Sequence, residues 1–301
     1  SATNVTQIRA TGWTVAGQTA SQCGVPLIFP WAQRVGTHPG GDQFMPGATC
    51  LTDVLSRDGF TTAFVKGFTL SFAGTDAFLH SHHYESRIGL AEHPDFDGAM
   101  SPWGAYDNDT FDFAFEQIER LHDGEKPFYF SVLTNGGHFP HGVLSPDCEA
   151  DPNHAKSPLP LIAAMSCTNW LTERFVGKLE DAGLLDDTIV IVQSDHFIMR
   201  NPLDAGLSQH RRNNFFAAFG PGVPKMATDR KASMIDMYPT ILELLGYDLP
   251  DDRAALGVSL LSGKPTLIEQ LGEDELDHSI GAGMDLAKAL WPSGQTAMAD
   301  R

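Results

Sequence analysis

Four short, unbroken apolar runs recur along this chain, and stretches with helical spacing separate them. The runs are "FTTAFVKG", "PFYFSVLTN", "DTIVIVQSD" and "NNFFAAFGPG". Between them, "CLTDVLSRDG" reads as a helix stopped by Gly59. "DTFDFAFEQIERLHDG" puts Phe111, Phe115, Ile118 and Leu121 on one face, with Gly124 as its stop. A long helix is expected from Leu159 to Leu184, carrying Leu161, Met165, Trp170, Phe175 and Leu179. "ASMIDMYPTILELLGY" closes the series, and "MDLAKALW" has the spacing of one more short helix. Strands that are apolar throughout, rather than at alternate positions, belong to a mostly parallel sheet with helices on both faces, the three-layer α/β/α sandwich. Ligands in such sheets sit at the carboxyl ends of the strands. The loops after "SVLTN" and "IVQSD" carry His138 and the pair Asp195-His196, so chemistry is expected there.

Charge narrows the partners. The 301 residues carry a formal net charge of −18. A nucleic-acid backbone is therefore excluded, since it requires clustered Lys and Arg, and an anionic membrane surface repels the chain on average. An anionic substrate must be held by local positive charge, which a metal ion supplies efficiently. No apolar run approaches the roughly 20 residues of a membrane span. No signal stretch opens the chain, and "SATNVTQIRATGWT" reads as the middle of something, an excised or processed ectodomain. The four cysteines form no C-x-x-C pair. They allow three disulfide pairings, of which Cys23–Cys50 with Cys148–Cys167 closes the shortest loops; four reduced thiols are the alternative.

Several constellations offer chemistry, each with a bland counterpart. Asp195 and His196 follow a core strand, and a carboxylate oxygen with an imidazole nitrogen suits zinc, manganese or a similar divalent ion; the bland reading is a strand-end Asp capping a turn. His138 stands in "TNGGHFPHG" after two glycines that let the backbone approach a ligand, with His141 three residues on. In "TVAGQTASQCGVPL", Thr19 and Ser21 are candidate nucleophiles, but a hydroxyl needs a base or a metal to become one. A small-residue segment packed on the sheet accounts for the same stretch. "SPWGAYDNDT" brings Trp103, Tyr106 and Asp107 into a turn, a combination that suits a sugar or polyol, or else a buried aromatic anchor. Arg212, in "HRRNNFF", fits bidentate phosphate contact or a solvated edge. His80, His82 and His83 in "LHSHHYE" lack acidic partners and read as surface.

Together, "GWTVAGQTASQCGVPL", "FAGTDAFLHSH", "WGAYD", "GHFPHG", "SDHFIMRN" and "RRNNFF" resemble, in order, the motifs of the alkaline phosphatase and sulfatase superfamily. Within it the chain is most similar to the periplasmic phosphoglycerol and phosphoethanolamine transferases and the lipoteichoic acid synthases, over about residues 3–262. The resemblance implies an alkaline phosphatase-like fold and one sulfatase-like catalytic domain over 1–301, with 263–301 as an extension packed on it. It implies a metal-dependent phosphoglycerol transferase that moves glycerophosphate from phosphatidylglycerol to a periplasmic glucan through a covalent serine intermediate. Ser21 is then the nucleophile and a metal ligand beside Asp195 and His196. His138 contacts the phosphoryl or leaving group, and Trp103, Asp107, His141, Arg212 and Thr19 contact substrate. The metal is manganese or zinc, with magnesium also compatible. The cysteines match those of the transferases, which favours disulfides and the periplasm. The parent would be the ectodomain of an inner-membrane protein, meeting the membrane through an N-terminal part not in the sequence.

Two departures stand out. By the resemblance, the family's first strand ends in a metal-binding glutamate, and this sequence is expected to begin downstream of it. Lipoteichoic acid synthases grip glycerol phosphate with His, Asp, Trp and Arg where this chain has Lys66, Phe68, Ala73 and Thr75, which weighs against lipoteichoic acid synthesis. The competing expectations are a phosphoethanolamine transferase, a sulfatase-like hydrolase, or a non-catalytic glycan-binding domain whose metal site has decayed.

Overall fold

The computed structural model describes residues 1–31, 43–93 and 96–292. In chain order the elements begin with β1 (Ala2–Thr6), α1 (Thr14–Cys23), α2 (Leu51–Arg57), β2 (Thr61–Lys66), α3 (Thr75–Ser81) and β3 (Ser86–Ile88). Next come β4 (Met100–Ser101), β5 (Gly104–Ala105), α4 (Asp107–His122), β6 (Phe128–Leu133), α5 (Pro146–Ala150), α6 (Pro160–Asp181), β7 (Val190–Gln193) and α7 (Asp204–Leu207). The chain closes with β8 (Asn214–Phe219), β9 (Ala232–Ser233), α8 (Met237–Leu244), β10 (Arg253–Ala254), β11 (Gly257–Val258), α9 (Leu267–Leu271), α10 (Glu273–Ala282) and α11 (Met284–Leu290). The helices and core strands expected from sequence all form. β1 was not anticipated: its five residues carry too little apolar pattern to stand out. The chain divides into two compact units, one made of Ser1–Val54, Ile189–Phe197 and His210–Arg301, the other of Leu55–Thr188 and Ile198–Gln209.

The first unit holds a four-stranded sheet in the order β7-β8-β1-β9. β8 runs antiparallel to both β7 and β1, and β1 pairs parallel with β9. Helix α1 is buried from Val15 to Cys23 and ends at Gly24, whose φ of 66° is the left-handed conformation that glycine adopts without strain. Cys23, at that end, is bonded to Cys50. The C-terminal helices pack within this unit. The Trp291 indole donates to the Ile28 carbonyl at 2.9 Å and stacks on Phe29, and Gly47 N–H donates to the Leu290 carbonyl. Residues 293–301 of the expected extension lie outside the described residues.

The second unit holds the parallel sheet β3-β2-β6. Register runs from Thr61 opposite Phe128 to Lys66 opposite Leu133, so both strands end at one edge. β2 is buried over five of its six residues, as its apolar run requires. Helices α4 and α6 share a core in which Phe111 and Phe175 stack at 4.7 Å. The second disulfide, Cys148–Cys167, joins α5 to α6. The pairing that closes the shortest loops is therefore the one formed, and closing loops of 27 and 19 residues restricts the unfolded chain by about 3 kcal/mol each. His80 and His83 are exposed as expected, whereas His82 is buried.

Candidate functional site

In the first unit, helix α1 lies directly on the end of β7. At Gly17 a Cβ would stand 2.0 Å from the Asp195 carbonyl oxygen, so only glycine allows this approach. One turn further along the helix, Gln193 Nε2 donates to Ser21 Oγ at 3.2 Å. The helix therefore runs back along the strand: Ser21 sits beside Gln193, Gly17 beside Asp195, and the N-terminal turn at Thr14 lies towards the strand's carboxyl end.

This geometry corrects two expectations. Ser21 is 1 % exposed in the last turn of α1, and its hydroxyl donates to the Gln18 carbonyl at 3.4 Å while accepting from Gln193. Thr19 is fully buried and donates back to the Val15 carbonyl at 2.8 Å. Neither hydroxyl is presented to a ligand: Ser21 is bonded to Gln193 of the strand and Thr19 is spent within the helix. Thr14 is a further hydroxyl on this helix, one that the sequence pattern does not single out. It is the first residue of α1, half-buried, three residues before Gly17 and so on the same helix face. The first-turn N–H groups of a helix have no intrahelical acceptor, and Trp13 supplies no side-chain cap. The readable signal was a threonine after Gly12-Trp13, opening a helix whose next turn carries a close-approach glycine.

The Asp195-His196 turn has the form of a cation site. His196 Nδ1–H donates to the Phe197 carbonyl at 2.7 Å, which places the lone pair on Nε2. That Nε2 faces Asp195 Oδ2 at 3.4 Å, while Oδ1 accepts the His196 amide at 2.9 Å. A lone pair and a carboxylate oxygen facing each other are repulsive unless a proton or a cation lies between them. The carbonyl on the far ring nitrogen is the support that metal-bound histidines use. The donor set therefore fits a divalent ion. Gln7 Oε1, just beyond β1, accepts the Phe197 N–H at 2.8 Å and pins the turn. Arg212 lies over the Phe197 ring at 4.9 Å, which brings its guanidinium to this turn.

In the second unit, the loop after β6 carries His138. Its Nδ1–H donates to the Phe139 carbonyl at 2.8 Å, and its ring lies 3.5 Å, centroid to centroid, from that of Trp103. Trp103 turns the β4–β5 hairpin and also meets Phe68 and Phe72, the latter exposed. Trp103 is thus a half-exposed platform rather than a buried anchor. Asp107 is a further correction. It is 2 % exposed and its oxygens accept from the Asn135 and Gly136 amides and the Thr168 hydroxyl, so it does not reach substrate. Burial pushes its carboxyl above the usual range, against those three hydrogen bonds. The Gly136 approach is to protein as well, since a Cβ there would stand 2.0 Å from Thr168 Oγ1. His141 is exposed on the same loop.

The sulfatase family model matches residues 14–247. Phosphoglycerol transferase I of Salmonella arizonae is 32 % identical over 266 residues, covering 86 % of this chain and 34 % of that protein. The protein of the same name from Escherichia coli strain 55989 is 32 % identical over 272 residues, with the same shares. The chain thus spans about a third of the length of the curated relatives it matches. Among solved structures, a protein in the alkaline phosphatase superfamily from Vibrio parahaemolyticus superposes with a TM-score of 0.67 at 25 % identity, over 88 % of this chain and 62 % of that one. The lipoteichoic acid synthase LtaP from Listeria monocytogenes superposes with a TM-score of 0.61 at 17 % identity, over 92 % and 65 %.

Proposed function

Because the chain belongs to the sulfatase family and has the α/β fold of the alkaline phosphatase superfamily, we propose that it is the catalytic part of a phosphoglycerol transferase. The donor is the headgroup of phosphatidylglycerol, the acceptor is a hydroxyl of a periplasmic glucan, and the reaction passes through a covalent intermediate on Thr14 rather than Ser21. The observation that carries this reading is the Asp195 carboxylate facing the His196 Nε2 lone pair at 3.4 Å, at the strand end against which α1 is packed. The similarity to phosphoglycerol transferase I supports the choice of headgroup.

Asp195 and His196 would hold a divalent ion, manganese or zinc with magnesium also compatible, whose charge makes a nearby hydroxyl more acidic and offsets charge growing on phosphoryl oxygens. The Thr14 hydroxyl attacks phosphorus, its proton passing to solvent, and the bond from phosphorus to the diacylglycerol oxygen breaks. The uncapped amides at the start of α1 stabilise the phosphoryl oxygens as their charge grows. The resemblance to the transferases gives His138 the role of proton donor to the departing oxygen, through Nε2. Arg212 steadies the phosphate as a fixed cation. A glucan hydroxyl then attacks the same phosphorus, its proton passing to solvent, and Thr14 leaves with a proton taken from solvent. Trp103 offers a ring face to the glycerol or sugar.

Incubation with phosphatidylglycerol and manganese, followed by intact-mass and peptide analysis, tests the assignment. A glycerophosphoryl adduct should map to the peptide beginning α1, disappear in Thr14→Ala and persist in Ser21→Ala. An adduct that survives Thr14→Ala and is lost in Ser21→Ala overturns it. An adduct formed only from phosphatidylethanolamine moves the reading to the sister transferases.

A further inference from the structure

We propose that Asp107 is a positioning residue, whose carboxylate clamps the turn after β6 so that the His138 ring is held against Trp103. The inference rests on the transferase reading for what His138 does, but not for the clamp itself. Asp107 opens α4 and aims both oxygens inward: Oδ1 accepts the Asn135 amide at 2.7 Å, and Oδ2 accepts the Gly136 amide and the Thr168 hydroxyl at 2.9 Å each. Asn135 then extends the clamp in two directions. Its Nδ2 donates to the Trp103 carbonyl at 3.0 Å, and its own carbonyl accepts the His138 amide at 2.9 Å. Further back-bonds, from the Gly142 amide to the His138 carbonyl and from the Val143 amide to the Gly136 carbonyl, close the loop.

One buried carboxylate is thus two hydrogen bonds from the main chain of His138 and two from that of Trp103, the residues whose rings meet at 3.5 Å. A carboxylate at a helix start ordinarily faces water and interacts with its own helix. Here it is taken out of water, and Asn135, Gly136 and Thr168, which bond to it, all lie outside α4. Desolvating a carboxylate is costly, and three charge-assisted hydrogen bonds offset that cost. The glycine at 136 has the same explanation, because a side chain there would occupy the position of Thr168 Oγ1.

The test combines amide exchange with a double-mutant cycle. In Asp107→Asn, the carboxamide presents an N–H to one of the amide donors it must accept. Exchange at Asn135 and Gly136 should rise about 10- to 100-fold, with Thr168→Val giving a smaller rise at the same amides. In the transfer assay, Asp107→Asn should lower kcat about tenfold with KM within about threefold. In a His138→Asn background it should add almost nothing, because the residue acts through that histidine. Unchanged exchange at Asn135 and Gly136, or losses in kcat that simply multiply, overturn the proposal. If Asp107→Asn does not fold, Thr168→Val carries both readouts. If the wild-type protein transfers nothing, the exchange arm still decides the clamp, and it is the transferase reading that fails.

Discussion

The two units hold their chemical groups by different means. In the first, a helix lies against a strand end with no side chain between them at Gly17, and the Asp195-His196 turn is held by short local bonds, to the Phe197 carbonyl, the Asp195 carboxylate and Gln7 Oε1. In the second, the His138 loop hangs from the side chain of Asp107, and its neighbours are aromatic rings that remain half-exposed. The first arrangement suits a fixed cation, whose ligands must not move. The second suits a group that gives a proton and meets substrates of varied shape, where one buried carboxylate sets the position and the surface stays open.

Glycine substitutions probe that contrast most severely. Gly17→Ala drives a methyl into the Asp195 carbonyl and should cost about 3 kcal/mol while weakening metal uptake, read by denaturant unfolding and metal titration. Gly136→Ala meets the Thr168 hydroxyl and should cost somewhat less, whereas Gly137→Ala, with open space around it, should be near neutral. Equal effects at 136 and 137 would break the claim that the second unit is clamped. Next come the disulfides. Cys148→Ser with Cys167→Ser should lower stability by about 3 kcal/mol and leave metal binding unchanged, because that bridge lies in the second unit.

The smallest effect is expected at Lys66, the last residue of β2. Its buried ammonium donates to Thr75 Oγ1 at 3.0 Å, and burial lowers its pKa from 10.5 to about 8 despite the nearby Glu92 charge. The folded state binds the proton more weakly than the unfolded one, so stability is greatest above pH 10.5, is lost as pH falls from 10.5 to about 8, and stays at the lower level below that. Lys66→Met should therefore stabilise the protein at pH 7 by roughly 2 kcal/mol, with the gain fading between pH 8 and 10.5. A gain independent of pH would point to packing rather than charge.

Much of this was legible in sequence. Unbroken apolar runs such as "IVIV" report strands covered on both faces, and the carboxyl ends of two of them marked Asp195-His196 and His138. Pairing direction was not legible throughout: β8 runs antiparallel to both its neighbours, although its apolar run looks like those of the parallel β2 and β6. Which hydroxyl lies at the strand end is not legible in sequence, because composition cannot say which end of a short helix faces it; the Gly17 contact puts Thr14 rather than Ser21 towards that end. A carboxylate beside Trp and Tyr reads as an exposed ligand contact; its own burial and its bonds to the Asn135 and Gly136 amides reveal a clamp.

The central claim is that Asp195 and His196 together hold one divalent cation. Calorimetric titration of the protein with manganese and with zinc tests it directly. The account predicts a single site in the wild-type protein, weakened about 100-fold or more by either Asp195→Ala or His196→Ala, with Ser21→Ala binding as tightly as wild type. Undiminished affinity in both Asp195→Ala and His196→Ala would contradict it.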